Sequence, residues 1–182
     1  METFSESKEI VPNPNFDKQR KAMLKNIDYK EIDTPIIELI KIISKLDYCF
    51  TLQCCYGHFL YEGQNDEHNL EPLPIANNIL NIDYRIAYIA FCIKENNEGK
   101  KLLNDLTKVP SIEPEYIQFG CAEWFWERQV NSYVLQVEPK RFMDKDRVNI
   151  DYKEALFVEK VRAKFFKRLN EIFEKLVIRN YV

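Results

Sequence analysis

The stretch Leu52-Gln53-Cys54-Cys55-Tyr56-Gly57-His58-Phe59 limits the folds open to this chain more than any other. It completes an alternating run, Tyr48-Cys49-Phe50-Thr51-Leu52-Gln53, with Tyr, Phe and Leu on one side and Cys, Thr and Gln on the other. That period of two predicts a strand with one apolar face and one face able to line a site. Gly57 is one of only four glycines. Lacking a Cβ, it lets the backbone turn sharply and approach a ligand closely. The turn brings Cys55 and His58 near each other.

Helical spacing surrounds this strand. Phe16, Met23, Leu24 and Ile27 among lysines and arginines predict a short amphipathic helix over 16–27. Asp33-Thr34-Pro35 reads as a helix start, with a capping carboxylate before a proline whose missing N–H costs nothing there. Ile36, Leu39, Ile40, Ile43 and Leu46 then give that helix one apolar face, to be packed on the sheet. Phe59 to Glu62 continues as a second strand. Gln64 to Asn81, with Pro72 and Pro74, is a loop holding a short helix after Pro74, and His68 is a solvated residue within it.

The second half repeats the alternation of strand and helix. Arg85 to Ile93 is β-branched and aromatic, and Leu102, Leu103 and Leu106 mark a helix over 96–107. Tyr116 to Gly120 and Ser132 to Val137 are strands. The aromatic stretch between them, Cys121 to Arg128, reads as a third strand, a ligand-facing loop or aromatic core filler. Tyr152 to Val177 is one long helix. The whole predicts an α/β (α+β) fold: an arm over 1–15, then a single domain over 16–182 with a mixed sheet packed by helices and a long C-terminal helix.

At 182 residues and a net charge of -3, the chain supplies a full core but no general attraction to phosphate backbones. Its pI is near 5.6. Five cysteines without framework spacing, and an opening segment unlike a signal peptide, imply free thiols and a cytoplasmic protein. No apolar run approaches the roughly 20 residues that span a bilayer.

Cys55 and His58 suggest a nucleophile and its base, because an adjacent imidazole can take the thiol proton. No third, orienting group is evident in the sequence. A zinc site from Cys54, Cys55, His58 and Cys92 or Cys121 lacks the usual Cys-x2-4-Cys pairing, so no metal is expected. Phosphate-loop and dinucleotide glycine patterns are absent. Arg128, Lys140, Arg141, Lys145 and Arg147, interleaved with Asp144 and Asp146, form either a phosphate-holding patch or a solvated loop.

Taken in order, the helix from Phe16-Asp17-Lys18, Asp33-Thr34-Pro35-Ile36 opening the Leu39-Ile40 helix, and Tyr48-Cys49-Phe50-Thr51 leading into Cys55-Tyr56-Gly57-His58 resemble the third enzyme of wybutosine synthesis, a tRNA-modifying family. There the motif reads Ser-Cys-Ser-Gly-Arg. Cys55 and Gly57 match it, while Cys54, Tyr56 and His58 replace a serine, a serine and an arginine. Weaker similarity runs through Ala87 to Phe91, the helix from Gly99, the strand Tyr133 to Val137 and the final helix.

The resemblance implies an α/β fold and S-adenosylmethionine-dependent methylation of a guanosine derivative in tRNA. It implies Cys55 and His58 as the reacting or ligand-contacting pair, with Tyr56, Gly57 and Gln136 around the cofactor. Trp124 or Trp126 would stack on a base and Arg141 would meet phosphate. The lost arginine and serines are groups suited to anionic or polar ligand atoms, so the fold can persist with altered substrate or activity. Two other readings stand beside it. One is a non-catalytic adaptor that presents its C-terminal helix to a protein partner. The other is a Cys/His-dependent hydrolase or transferase.

Overall fold

In the computed structural model of the chain, residues 4–64, 66–75, 78–143 and 145–179 are described. The elements run β1 (Phe4–Ser5), α1 (Phe16–Asn26), α2 (Ile37–Ser44), β2 (Cys49–Cys55), β3 (His58–Leu60), β4 (Asn81–Arg85), β5 (Ala87–Ile93), α3 (Asn97–Leu106), β6 (Ile117–Ala122), α4 (Glu123–Arg128), β7 (Ser132–Val137), β8 (Arg147–Asp151) and α5 (Tyr152–Arg179). They make the expected α+β architecture. A five-stranded sheet has the order β1-β6-β7-β5-β2, and a three-stranded sheet has the order β3-β4-β8. Every pairing between these strands is antiparallel.

Period two decides which side of the large sheet each residue serves. Ile89, Phe91 and Ile93 of β5 and Tyr133, Leu135 and Val137 of β7 enter the main core. There they meet Leu39, Ile40 and Ile43 of α2, Leu102 and Leu106 of α3, and Val158, Val161, Phe165 and Leu169 of α5. The intervening Ala90 and Val134 face the other way, with Ala122 and Phe125. The long helix and α2 therefore cover the inner face, while α1, α4 and the N-terminal segment partly cover the outer one.

Tyr84 ties the two sheets together. Fully buried, its hydroxyl donates to the Val137 carbonyl (3.0 Å) and accepts from the Ala87 N–H (2.9 Å), so a β4 side chain spans the break at Ile86. A phenol suits this task because one oxygen satisfies a donor and an acceptor in an otherwise apolar place.

Several expectations are corrected. Residues 4–15 are not a loose arm, since β1 pairs with β6 (Phe4 opposite Ala122) and the Asn131 side chain holds both backbone groups of Val11. In β2 the alternation does not divide core from site. Both faces are covered, with Cys49 in the main core and Phe50 packed on Phe16 and Cys92, and a bulge between Thr51 and Gln53 shifts the register. Of the 121–128 stretch, Cys121 and Ala122 end β6 and 123–128 form the short helix α4 rather than a third strand or a loop. β4 and β8 fall largely on segments for which the sequence pattern predicts no element. The helix expected after Pro74 would include residues 76 and 77, and the acid Asp144 was read in the basic segment; all three lie outside the described residues.

Candidate functional site

The motif turn is built around Gly57, whose φ of 90° lies in the left-handed region. A Cβ there would sit 2.9 Å from the Ala87 Cβ, so the glycine is required by strand packing at the β2–β3 turn. Asp33 completes the turn. Read from sequence as a helix cap, it caps nothing with its side chain. Instead its Oδ2 accepts the Tyr56 N–H (2.7 Å) and lies 3.3 Å from His58 Nε2. This is the orienting group missing from the sequence reading.

The geometry decides what His58 can do. Its Nδ1–H donates to the Asn69 carbonyl (3.2 Å), and Nε2 faces the Asp33 carboxylate, so each nitrogen meets an acceptor. The ring is held as an imidazolium. Its pKa is pushed up to about 10 by the hydrogen bond to Asp33 and then by Cys55, against the opposing effect of burial. Burial alone would raise the Asp33 carboxyl, but hydrogen bonds from His58 and from the Tyr56 N–H hold it below its ordinary value. A general base needs one free ring nitrogen, and this ring has none. Cys55 and His58 are also only 4% and 1% exposed, so the pair is closed to substrate as it stands.

An open site lies beside this turn, on the outer face of the five-stranded sheet: a cavity of about 460 Å³. Strand register makes its floor. Gln118 of β6 stands opposite Gln136 of β7, and Gln136 stands opposite Tyr88 of β5. The Tyr88 hydroxyl donates to Gln53 Oε1 of β2 (3.2 Å). Gln53, Tyr88 and Gln136 line the cavity, with Phe4 and Phe125 as its aromatic wall. Behind the floor, Gln136 Nε2 donates to Oε2 of the wholly buried Glu138 (2.9 Å), which fixes the amide orientation.

The cavity mouth is cationic. Arg85, Lys145 and Arg147 line it against two carboxylates, Glu67 and Asp146. Arg147 is already paired with Glu67 (2.9 Å) and Asp83 (3.6 Å). Arg85 is different. Half-buried and next to the turn through its register with His58, its guanidinium has no hydrogen bond or ion pair among the described residues, and it acts on Asp33 through space.

The residues singled out from sequence divide between the two places. Gln136 lines the cavity; Cys55, Gly57 and His58 form the turn behind it. Tyr56 stacks on Phe166 (5.0 Å) beneath the Arg162 guanidinium, 4.3 Å from its ring centre, and so anchors α5. Trp126 is engaged by Tyr133 and Lys8, and Trp124 is exposed with Arg128 stacked 3.7 Å from its ring centre; it is Phe125, between them, that faces the cavity. Arg141 is not available for phosphate, because it makes a two-pronged ion pair with Glu154 that holds its charge on the first turn of α5. Lys145 and Arg147 of the same basic segment do reach the cavity. His68 is an exposed loop residue, as read, but its ring stands 6.0 Å from that of His58.

Sequence reasoning placed Gln53 on a face able to line a site, and it does line the cavity, but missed Asp33, Arg85, Tyr88 and Phe125 as members of the site; these are gathered by register and by the break between β4 and β5.

No protein-family model matches the chain, and no curated protein matches it. Among solved structures, the PH1069 protein from Pyrococcus horikoshii is similar over 89% of this chain and 92% of that one, at 16% identity and a TM-score of 0.48. Among the described residues no helix is long and apolar enough to cross a membrane.

Proposed function

We propose that the outer-face cavity binds a purine-bearing ligand with an anionic group, and that the activity it serves is S-adenosylmethionine-dependent modification of an RNA. The observation that carries this reading is Arg85, a half-buried guanidinium on the wall of a 460 Å³ cavity without a partner among the described residues. A fixed fork of donors in that position suits a carboxylate or phosphate. The cavity is also of a size that takes a small ligand, and its lining mixes apolar and aromatic side chains with convergent polar and charged ones.

The cofactor fits the residues present. Arg85 would hold its carboxylate, Tyr88 and Phe125 would flank its adenine, and Gln53 and the oriented amide of Gln136 would bond the base edge. When bound, the cofactor supplies an electrophilic methyl group. The chain's own share is to bind, orient and shield from water, and within that reading Cys55 and His58 position the wall of the site rather than react. The exposed Trp124, on the same short helix as Phe125, offers an RNA base a stacking surface. The hydrolase reading lacks a free imidazole nitrogen and an accessible thiol.

Calorimetric titration with S-adenosylmethionine tests the proposal. Saturable binding is expected in the wild type, with Arg85→Ala losing about 1.5–3 kcal/mol, at least about tenfold in affinity. No binding, or an Arg85→Ala variant that binds as tightly, would overturn it. RNA affinity should fall steeply with added salt, and a salt-independent interaction would remove the RNA part.

A further inference from the structure

The turn behind the cavity carries an inference that does not rest on the proposed function. We propose that Asp33, Cys55 and His58 form a three-ligand site for a divalent transition-metal ion of the zinc class. A carboxylate oxygen, a thiol sulfur and a ring nitrogen from separate positions all lie within 4.8 Å of one another. These are three donor types that zinc accepts together, and three protein ligands leave one coordination position for water or a further group.

Three observations favour an ion over an ordinary polar cluster. The first is spacing. Charge-assisted hydrogen bonds between an imidazolium and a carboxylate run to about 2.7–2.9 Å. Asp33 Oδ2 and His58 Nε2 stand 3.3 Å apart. Donors bound about 2.0–2.2 Å from a tetrahedral ion are separated by about 3.4 Å, so this long hydrogen-bonded pair already stands at the spacing of a chelate edge.

The second is the outer ring of contacts. His58 Nδ1–H donates to the Asn69 carbonyl, which fixes the ring with Nε2 directed at Asp33, and Asp33 Oδ2 is oriented by the Tyr56 N–H. The Gly57 N–H donates to Cys55 Sγ (3.4 Å) and so orients the sulfur. Each of the three ligands therefore has its own backbone partner, the usual arrangement around a bound metal.

The third is composition. The chain has only two histidines, and the second, His68, stands with its ring 6.0 Å from His58 on the loop that supplies Asn69. Its side chain is a candidate for the remaining position. Cys55 and His58 are legible in the sequence as metal-type ligands, but the third is hidden, because Asp33 lies 22 residues before Cys55 and mimics a helix cap.

Metal binding replaces the proton at His58 Nε2 and the one on Cys55 Sγ, and both pass to the buffer. The test is a titration of the full chain, first stripped with a chelator, with Co2+ as a spectroscopic stand-in for zinc. One Co2+ per chain is expected, with a thiolate-to-cobalt charge-transfer band and the strong visible absorption of a four-coordinate ion. Zn2+ should displace it, in keeping with their affinity order. Cys55→Ser should lose the band and at least about tenfold in affinity, whereas Cys54→Ser should keep both. Circular dichroism of each variant reports whether it folds. Absence of the band in the wild type, or its loss in Cys54→Ser with retention in Cys55→Ser, would overturn the proposal, and the wild-type titration decides it even if Cys55→Ser does not fold.

Discussion

At the scale of single residues, the chain places polar groups where few alternatives would fit. Gly57 is the sharpest case, since it combines a left-handed φ with a Cβ position 2.9 Å from the Ala87 Cβ. Its carbonyl also accepts from Arg162 Nη1 (2.6 Å), a buried guanidinium lying over the rings of Tyr56 and Phe59. Gly57→Val therefore strains the backbone and pushes β2–β3 off β5 at once. We expect a loss of about 2–4 kcal/mol from conformational strain and overpacking, read as a lower urea midpoint with an unchanged slope. A variant as stable as the wild type would mean that the turn can relax without Ala87 moving. The site was only half legible for the same reason. Cys55, Gly57 and His58 are consecutive enough for sequence to pair them, while Asp33 and Arg85 join them through a remote turn and a strand register that no spacing rule encodes.

At the scale of elements, periodic segments were legible, short β7 among them, and aperiodic ones were not. α3 and α5 fall close to their apolar repeats because a helical face longer than two turns leaves little ambiguity. α4 has six residues, too few for a period, and its Trp-Phe-Trp content imitates a strand. The first segment misled in another way. Residues such as Pro12 and Pro14 look irregular, and the segment is irregular, yet it is fastened. Asn131, wholly buried with φ 62°, accepts the Val11 N–H (2.9 Å) and donates to the Val11 carbonyl (2.7 Å). Asparagine suits both tasks, tolerating the left-handed region and mimicking a backbone partner. Asn131→Ala should cost about 2–3 kcal/mol and open the chain near Val11 to limited proteolysis; Asn131→Gly, which keeps the backbone tolerance, should recover part of the stability but not the protection. Equal protease resistance in all three proteins would show that the segment is held by β1 alone.

At the scale of the whole molecule, the core contains an unusual number of weak acids. Burial raises the Cys54 and Cys92 thiols to about 12, and burial together with the neighbouring Cys92 raises Cys49 well above its ordinary value of 9.0. Tyr84 and Tyr133 are raised as well, chiefly by burial. The sign follows from proton counts. In the folded chain these groups keep their protons, while in the unfolded chain the thiols begin to lose theirs near pH 9, so the unfolded state binds fewer protons above that point. Stability is unaffected by the thiols below about pH 9 and falls as pH rises from there toward 12, by up to about 1.4 kcal/mol per pH unit for each fully buried thiol. The phenols join above their ordinary value of 10.0. Urea midpoints measured between pH 7 and 10.5, with a chelator present so that metal ligation plays no part, should fall gently from pH 7, where the folded chain alone still holds the His58 proton, and more steeply above about pH 9 as the thiols join. Cys92→Ala removes one of these acids and should show a shallower decline from its own starting point. A decline that does not steepen above pH 9 would mean that water reaches these thiols in the folded chain, and that the outer face of the sheet is more open than its packing on α1 implies.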